Sequence, residues 1–209
     1  MATAGLSVPS IRSSIGFTTW FCAEHLHHSI AKSVNESPYK SSILKRSSSD
    51  SSSAPGKIPS SFLREMDIIN GFQLCDRSYR DVSLRGCRSP SLFSPDDGST
   101  VVSVFLHKAR RQLITAHVGD ARAALISLHD SFNLTADHKP SNPSEKERVE
   151  LLGGRIINYG VLRVQGVLAV TRALGDFSLR PFVSNVPTVS CFALQGDECF
   201  VVLASDGLW

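Results

Sequence analysis

The chain has 209 residues, 42% hydrophobic and 20% charged, with a formal net charge of +3; that is enough for one sizeable core and excludes a fibrous or low-complexity chain. Its lysines and arginines are scattered without a dense basic run, so no nucleic-acid partner is expected. No stretch reaches the roughly 20 apolar residues of a bilayer-spanning helix, so no membrane partner is expected either. The five cysteines, Cys22, Cys75, Cys87, Cys191 and Cys199, are odd in number and hold no Cys-x-x-Cys pair. This argues against a disulfide framework or zinc knuckle and for a reducing compartment.

Residues 1–16 read as an irregular leader. The first 23 residues lack acids and carry Arg12 among serines, a feature shared with organelle transit peptides; the plainer expectation is an unstructured start to an intracellular chain of cytoplasm or nucleus. From Phe21 to Val34, Ala23, Leu26, Ile30 and Val34 recur at three- and four-residue spacings, which predicts a helix with that face inward. Ser33 to Ser61 is rich in Ser, Pro and Lys, and its run from Ser47 to Ser53 buries too little apolar area to offset ordering entropy, so a mobile insertion is expected. A second helix is predicted over Phe62–Leu74, with Phe62, Met66, Ile69 and Gln73 near one face, followed by a Gly/Arg/Ser/Pro-containing connection to Asp97.

After Gly98 the texture changes to short β-branched runs separated by turn residues, as in antiparallel sheets. The predicted strands are Thr100–Leu106, Gln112–Val118, Ala121–Ser127, Arg155–Ile157, Leu162–Val164, Val167–Thr171, Thr188–Ala193 and Glu198–Ser205. One helix lies among them: Asn142 caps it, Pro143 suits its first turn, Glu145 is placed as a capping-box partner and Gly153-Gly154 end it. Helices that precede and interrupt a run of strands give an α+β class.

Two carboxylates stand at strand ends beside a glycine. Asp206 follows the apolar run Phe200–Ala204 and is expected to leave a buried strand, and Asp120 follows Val118-Gly119 at a tight turn. Rigid carboxylates with close backbone approach suit a hard divalent cation such as Mg²⁺ or Mn²⁺, although either pair could be no more than a hairpin turn. His138 has the titration range of a general acid, but its Asp137-His138-Lys139-Pro140 setting reads as a bracing loop. Asp176 after Gly175 reads as a turn residue more than a catalytic one. His25, His27 and His28 cluster on the first helix without a carboxylate or cysteine partner in sequence, so no metal role is expected. Lys45-Arg46 before the serine run is as consistent with a solvated linker as with a kinase site. Cys191 and Cys199 on strands read as small buried hydrophobes.

Taken in order, Gly98-Ser99-Thr100, Val118-Gly119-Asp120-Ala121-Arg122, Leu134-Thr135-Ala136-Asp137-His138-Lys139-Pro140, Glu147–Gly154, Arg163-Val164, Leu168–Asp176 and Ala204–Trp209 resemble the successive motifs of the metal-dependent type 2C (PPM) protein serine/threonine phosphatases. The resemblance covers Gly98–Trp209 and extends to the helix at Phe21–Val34. It implies an α-β-β-α sandwich with a binuclear Mg²⁺/Mn²⁺ centre at one end, where a metal-activated water hydrolyses phosphoserine and phosphothreonine on phosphoprotein substrates. By the same resemblance Asp206 is a ligand of the core metal site and Asp120 helps hold a third, weaker metal. The family's opening Arg, Glu-Asp pair and Asp-Gly-His-Gly-Gly loop are not found before Gly98. Residues 17–209 are therefore expected to be a partial, monomeric phosphatase domain with no intact catalytic set, weakly active or inactive. The alternative is a non-catalytic pseudophosphatase that binds phosphoproteins or a kinase.

Overall fold

The computed structural model describes residues 17–36, 63–85 and 96–209. The expected leader, most of the Ser-rich segment with Lys45-Arg46, Phe62 and Cys87 lie outside the described residues. In chain order the elements are helices α1 (Phe17–Glu36) and α2 (Glu65–Arg85), strands β1 (Gly98–Ser99), β2 (Val101–His107), β3 (Gln112–Val118), β4 (Arg122–Ser127) and β5 (Ser131–Asn133), helix α3 (Pro143–Leu151), and strands β6 (Ile156–Asn158), β7 (Leu162–Val164), β8 (Leu174–Gly175), β9 (Thr188–Ala193) and β10 (Glu198–Ala204). The class is α+β, with every named strand pair antiparallel.

Two three-stranded sheets, ordered β2-β3-β9 and β10-β4-β5, carry the fold. Side-chain alternation on β3 splits its two faces. Ala116 and Val118 pack with Phe21, Leu26 and Ile30 of α1 and Ile68, Phe72 and Tyr79 of α2, while Leu113 joins Ala123, Leu125 and Leu134 from the second sheet. The first sheet is thus covered by the helix pair on one face and by the second sheet on the other. A third cluster, Val149, Val164, Ala173 and Val183, fastens α3 to the β6-β7 hairpin and the chain on either side of β8.

The helices differ from their predicted extents and faces. On α1, Leu26, Ile30 and Val34 are buried but Ala23 is exposed, Phe21 and Cys22 are buried instead, and Ser33–Glu36, expected in the insertion, continue the helix. On α2 the inward stripe is Ile68, Phe72, Cys75 and Tyr79, and Met66 is 59% exposed. Gly71 explains the phase: a Cβ there would lie 2.6 Å from the Ile30 Cα, so the two helices cross backbone to backbone at that glycine. The predicted break in the glycine- and arginine-containing stretch is a helix continuing to Arg85.

Two further expectations are corrected. Val167–Thr171 is no strand: Gln165 and Gly166, both at positive φ, reverse the chain at once after β7, leaving only the bridge Val164↔Leu168. Cys191 and Cys199 are exposed, whereas Cys22 and Cys75 are buried, and all four are free thiols. The helix predicted from Asn142 is as expected at both ends. The Asn142 side chain accepts from the Ser144 N–H, and Gly153 at positive φ ends it, with the Gly154 N–H donating to the Val149 carbonyl. Glu145, however, turns into the core instead of closing a capping box.

Candidate functional site

Strand register gathers the turn residues at one end of the two sheets. β10 pairs antiparallel to β4 with Ala204 opposite Arg122, so Asp206, two residues past Ala204, and Asp120, two before Arg122, extend beyond the same end of the ladder. On the first sheet Val101 faces Val118 and His117 faces Thr188, which brings Thr100, Gly119 and the start of β9 to that end too. Gly119 is at φ +89 and a Cβ there would lie 2.6 Å from the Thr100 Cβ, so the turn that carries Asp120 is closed tightly on the start of β2.

Asp206 occupies a turn in which the Leu208 N–H donates to the Ser205 carbonyl at 3.2 Å, and the Trp209 indole N–H donates to the Ala204 carbonyl at 3.1 Å. Its side chain is exposed. The strand before it is not the buried strand expected from its apolar sequence, since among the described strands β10 pairs only with β4 and stands at a sheet edge, with Phe200 69% exposed. Asp120 is mostly covered and ion-paired: the Lys139 ammonium lies 3.1 Å from its Oδ2 and 3.2 Å from Oδ2 of Asp137. Asp137 also accepts from Nε and Nη2 of the Arg122 guanidinium, at 2.7 and 2.9 Å. Those hydrogen bonds hold the Asp137 carboxyl below its ordinary range against the opposing effect of burial, with Lys139 helping.

His138 forms the floor of this turn. The Gly119 N–H donates to its Nδ1 at 3.2 Å, so Nε2 carries the proton and donates to Thr188 Oγ1 at 2.9 Å. Its ring stacks on His117 at 4.3 Å. Burial, with the nearby Arg172 and His117, brings its pKa down to about 3, so at neutral pH it is an uncharged strut between two strand ends rather than a proton donor.

Two buried ionic clusters hold the segments around this end. Burial alone would raise the Glu145 carboxyl, but hydrogen bonds from Arg172 and Thr171, with the charge of Arg148, bring it to about 2. The same arginines bind the Val186, Phe182 and Thr171 carbonyls, tying α3 to the chain on either side of β8. Asp76 of α2 accepts from the Gly175 N–H at 2.8 Å, Arg180 at 3.0 Å and Asn185 at 2.7 Å. Asp176 stands apart from these, at φ +48 and 8% exposed, with its carboxylate in the space that a Gly98 side chain would fill. Burial pushes its pKa up to about 6; Arg180 opposes this and the charges of Asp96, Asp97 and Asp76 add to it.

Sequence reasoning named Asp120 and Asp206, and the register brings their turns to one end. It missed the Lys139–Asp120 pair and both buried clusters, which, apart from Glu145–Arg148 on α3, join residues far apart in the chain and leave no local spacing to detect. His25, His27 and His28 stay on α1, with His25 stacked on Phe21 and His27 against His28. Among the described residues no three His, Cys, Asp or Glu side chains come together as a metal-holding group. Asp206 in solvent and Asp120 on Lys139 therefore do not by themselves form the several-oxygen array that a divalent cation requires.

A family model, "Protein phosphatase 2C", matches residues 10–209. Among curated proteins, "Probable protein phosphatase 2C 8" of Oryza sativa subsp. japonica is 43% identical over 112 residues, 54% of this chain and 27% of that protein. "Probable protein phosphatase 2C 24" of Arabidopsis thaliana is 45% identical over 113 residues, 54% of this chain and 30% of that protein. The chain thus matches only about a third or less of the length of these relatives. Among solved structures, a C. elegans sex determining protein superposes with a TM-score of 0.68 at 28% identity, over 90% of this chain and 40% of that one. Serine-threonine phosphatase 2C from Toxoplasma gondii does so with a TM-score of 0.64 at 22% identity, over 90% and 65%, a likeness of fold.

Proposed function

From the premise that the chain belongs to the protein phosphatase 2C family, we propose that the protein is a metal-dependent protein serine/threonine phosphatase acting on phosphoprotein substrates, with Mg²⁺ or Mn²⁺ as cofactor. Asp206 and Asp120 are the carboxylates that this chain contributes to the metal-binding end. The observation that carries the reading is the β10–β4 register, which sets both residues, in family-like motifs, beyond the same end of one ladder. The described donors are too few for a complete centre, so the 209-residue chain alone is expected to be a weak enzyme.

The test is phosphate release from a phosphothreonine peptide by the purified chain, with and without Mn²⁺, beside Asp206→Asn. Slow turnover that needs Mn²⁺ and falls at least about ten-fold in Asp206→Asn is the expected result, since loss of a carboxylate ligand weakens cation binding strongly. Turnover without a divalent cation, or unchanged in Asp206→Asn, would overturn the assignment. A folded chain that binds the phosphopeptide without hydrolysing it would favour a non-catalytic binding module.

A further inference from the structure

Among the described residues two thiols meet inside the core. Cys22 of α1 and Cys75 of α2 are buried in the cluster that joins the helix pair to the first sheet, and the Cys22 S–H donates a hydrogen bond to the Cys75 sulfur. The crossing of the two helices holds them together. Phe21, beside Cys22, packs on Tyr79 with ring centroids 5.5 Å apart, and Gly71, one turn before Cys75, lies against the Ile30 backbone. Cys191 and Cys199 are exposed by contrast, on strands of different sheets.

We propose that Cys22 and Cys75 are a disulfide-forming pair, oxidised by exchange with a small disulfide of the glutathione type. One protein thiol gives up its proton and attacks a sulfur of the small disulfide, forming a mixed disulfide and releasing one small thiol. The second protein thiol then gives up its proton, attacks the protein sulfur of the mixed disulfide and releases the other small thiol. Two protein thiols thus become one S–S bond, and the small disulfide is reduced to two thiols. The reaction is independent of the phosphatase reading.

The surroundings set its pace. The hydrogen bond to Cys75, then burial and the nearby charge of Asp76, hold the Cys22 thiol far above its ordinary range, and Cys75 is fully buried. Neither sulfur therefore meets a dissolved disulfide until the helix pair opens. Once formed, the bond carries no charge or proton to desolvate, and the same burial keeps reducing thiolates away from it. The bond staples α1 to α2 beside Asp76, whose carboxylate holds the Gly175 N–H, Arg180 and Asn185. It is a slow and persistent record of oxidising conditions.

The test uses the 209-residue chain with Cys87, Cys191 and Cys199 replaced by serine, so that Cys22 and Cys75 are its only thiols, with circular dichroism confirming the fold. The chain is held in reduced and oxidised glutathione at graded ratios, quenched with acid, alkylated after unfolding and weighed by mass spectrometry. An internal disulfide is expected, absent from Cys22→Ser and Cys75→Ser. Dithiothreitol should reduce it at least about ten-fold more slowly in the folded chain than in urea, because access limits the exchange. The oxidised chain should also unfold at higher denaturant than the reduced one, since the crosslink restricts the unfolded chain. If the substituted chain does not fold, peptide mapping of the unaltered chain gives the same reading. Two alkylated thiols at every glutathione ratio, glutathione retained on either cysteine in place of the internal bond, or an internal bond that lowers the unfolding midpoint would overturn the proposal.

Discussion

Asp176 shows how position alone sets a residue's chemistry. Its pKa of about 6 lies above the value near 3.9 of an unfolded aspartate. Between about pH 4 and 6 the folded chain therefore holds a proton that the unfolded chain has lost, and stability rises as pH falls through 6. At pH 8 the charged carboxylate is a net cost. Asp176→Asn, tolerable at a positive φ, should raise unfolding free energy at pH 8 by about 2 kcal/mol and flatten the dependence between pH 4 and 6, as chemical denaturation at pH 5 and 8 would reveal. An unchanged stability at pH 8 would show that the carboxylate is not strained. Glu145 runs the other way. With its pKa at about 2, its contribution is complete above an unfolded value near 4.3 and is lost as pH falls toward 2. Glu145→Ala leaves Arg172 and Arg148 without their shared partner and should destabilise the chain by about 3–5 kcal/mol. At this scale the sequence is partly legible: Asp120 and Asp206 announce themselves as Gly-Asp and Asp-Gly at strand ends. Glu145 reads as a capping residue because its position three after Asn142 is a local pattern, whereas its partners Thr171 and Arg172 are brought to it by the fold.

At the scale of elements, Gly71 decides how α1 and α2 meet. In an isolated helix Gly71→Ala would gain about 1 kcal/mol from propensity. Here the added methyl meets the Ile30 backbone at 2.6 Å, so a net loss of about 1–3 kcal/mol is expected, the cost typical of overpacking, measurable as a lower thermal midpoint. A stabilised Gly71→Ala would mean that the helices do not cross at this glycine. This is also where sequence reading is weakest. The strand Gln112–Val118 is placed to the residue, because an apolar and β-branched run that ends at a Gly-Asp turn marks a strand, here one buried on both faces. The face of α2 is assigned out of phase, since Met66 and Ile69 fit a helical stripe as well as Ile68 and Phe72 do. Only the close approach at Gly71 selects between them.

For the molecule as a whole, one sheet is covered on both faces and the other ends in an apolar edge strand. Phe200, Val201 and Leu203 of β10 are exposed, as are Leu208 and Trp209 beyond it. An uncovered apolar edge invites pairing with another chain, so the 209-residue chain should self-associate as its concentration rises. Phe200→Lys should reduce that association in sedimentation velocity, and a chain that stays monomeric at high concentration would contradict this. Motif order makes the family legible in the amino-acid sequence itself, because seven short motifs constrain one another more than any one of them does. The arrangement of charge around Asp120 is not legible there, because the Lys139–Asp120 pair joins segments that the β4–β5 pairing and the hydrogen bonds between His138 and Gly119 bring together.

The central claim, that the end carrying Asp206 and Asp120 is the cation-binding end, is tested most directly by paramagnetic broadening of backbone amide resonances with substoichiometric Mn²⁺. Broadening confined to Gly98–Thr100, Gly119–Ala121, Asp137–Lys139 and Asp206–Gly207 is the predicted result. Broadening centred on the opposite end, at Lys108–Arg111, Leu128–Asp130 and Gln195–Asp197, or no localised broadening at all, would contradict it.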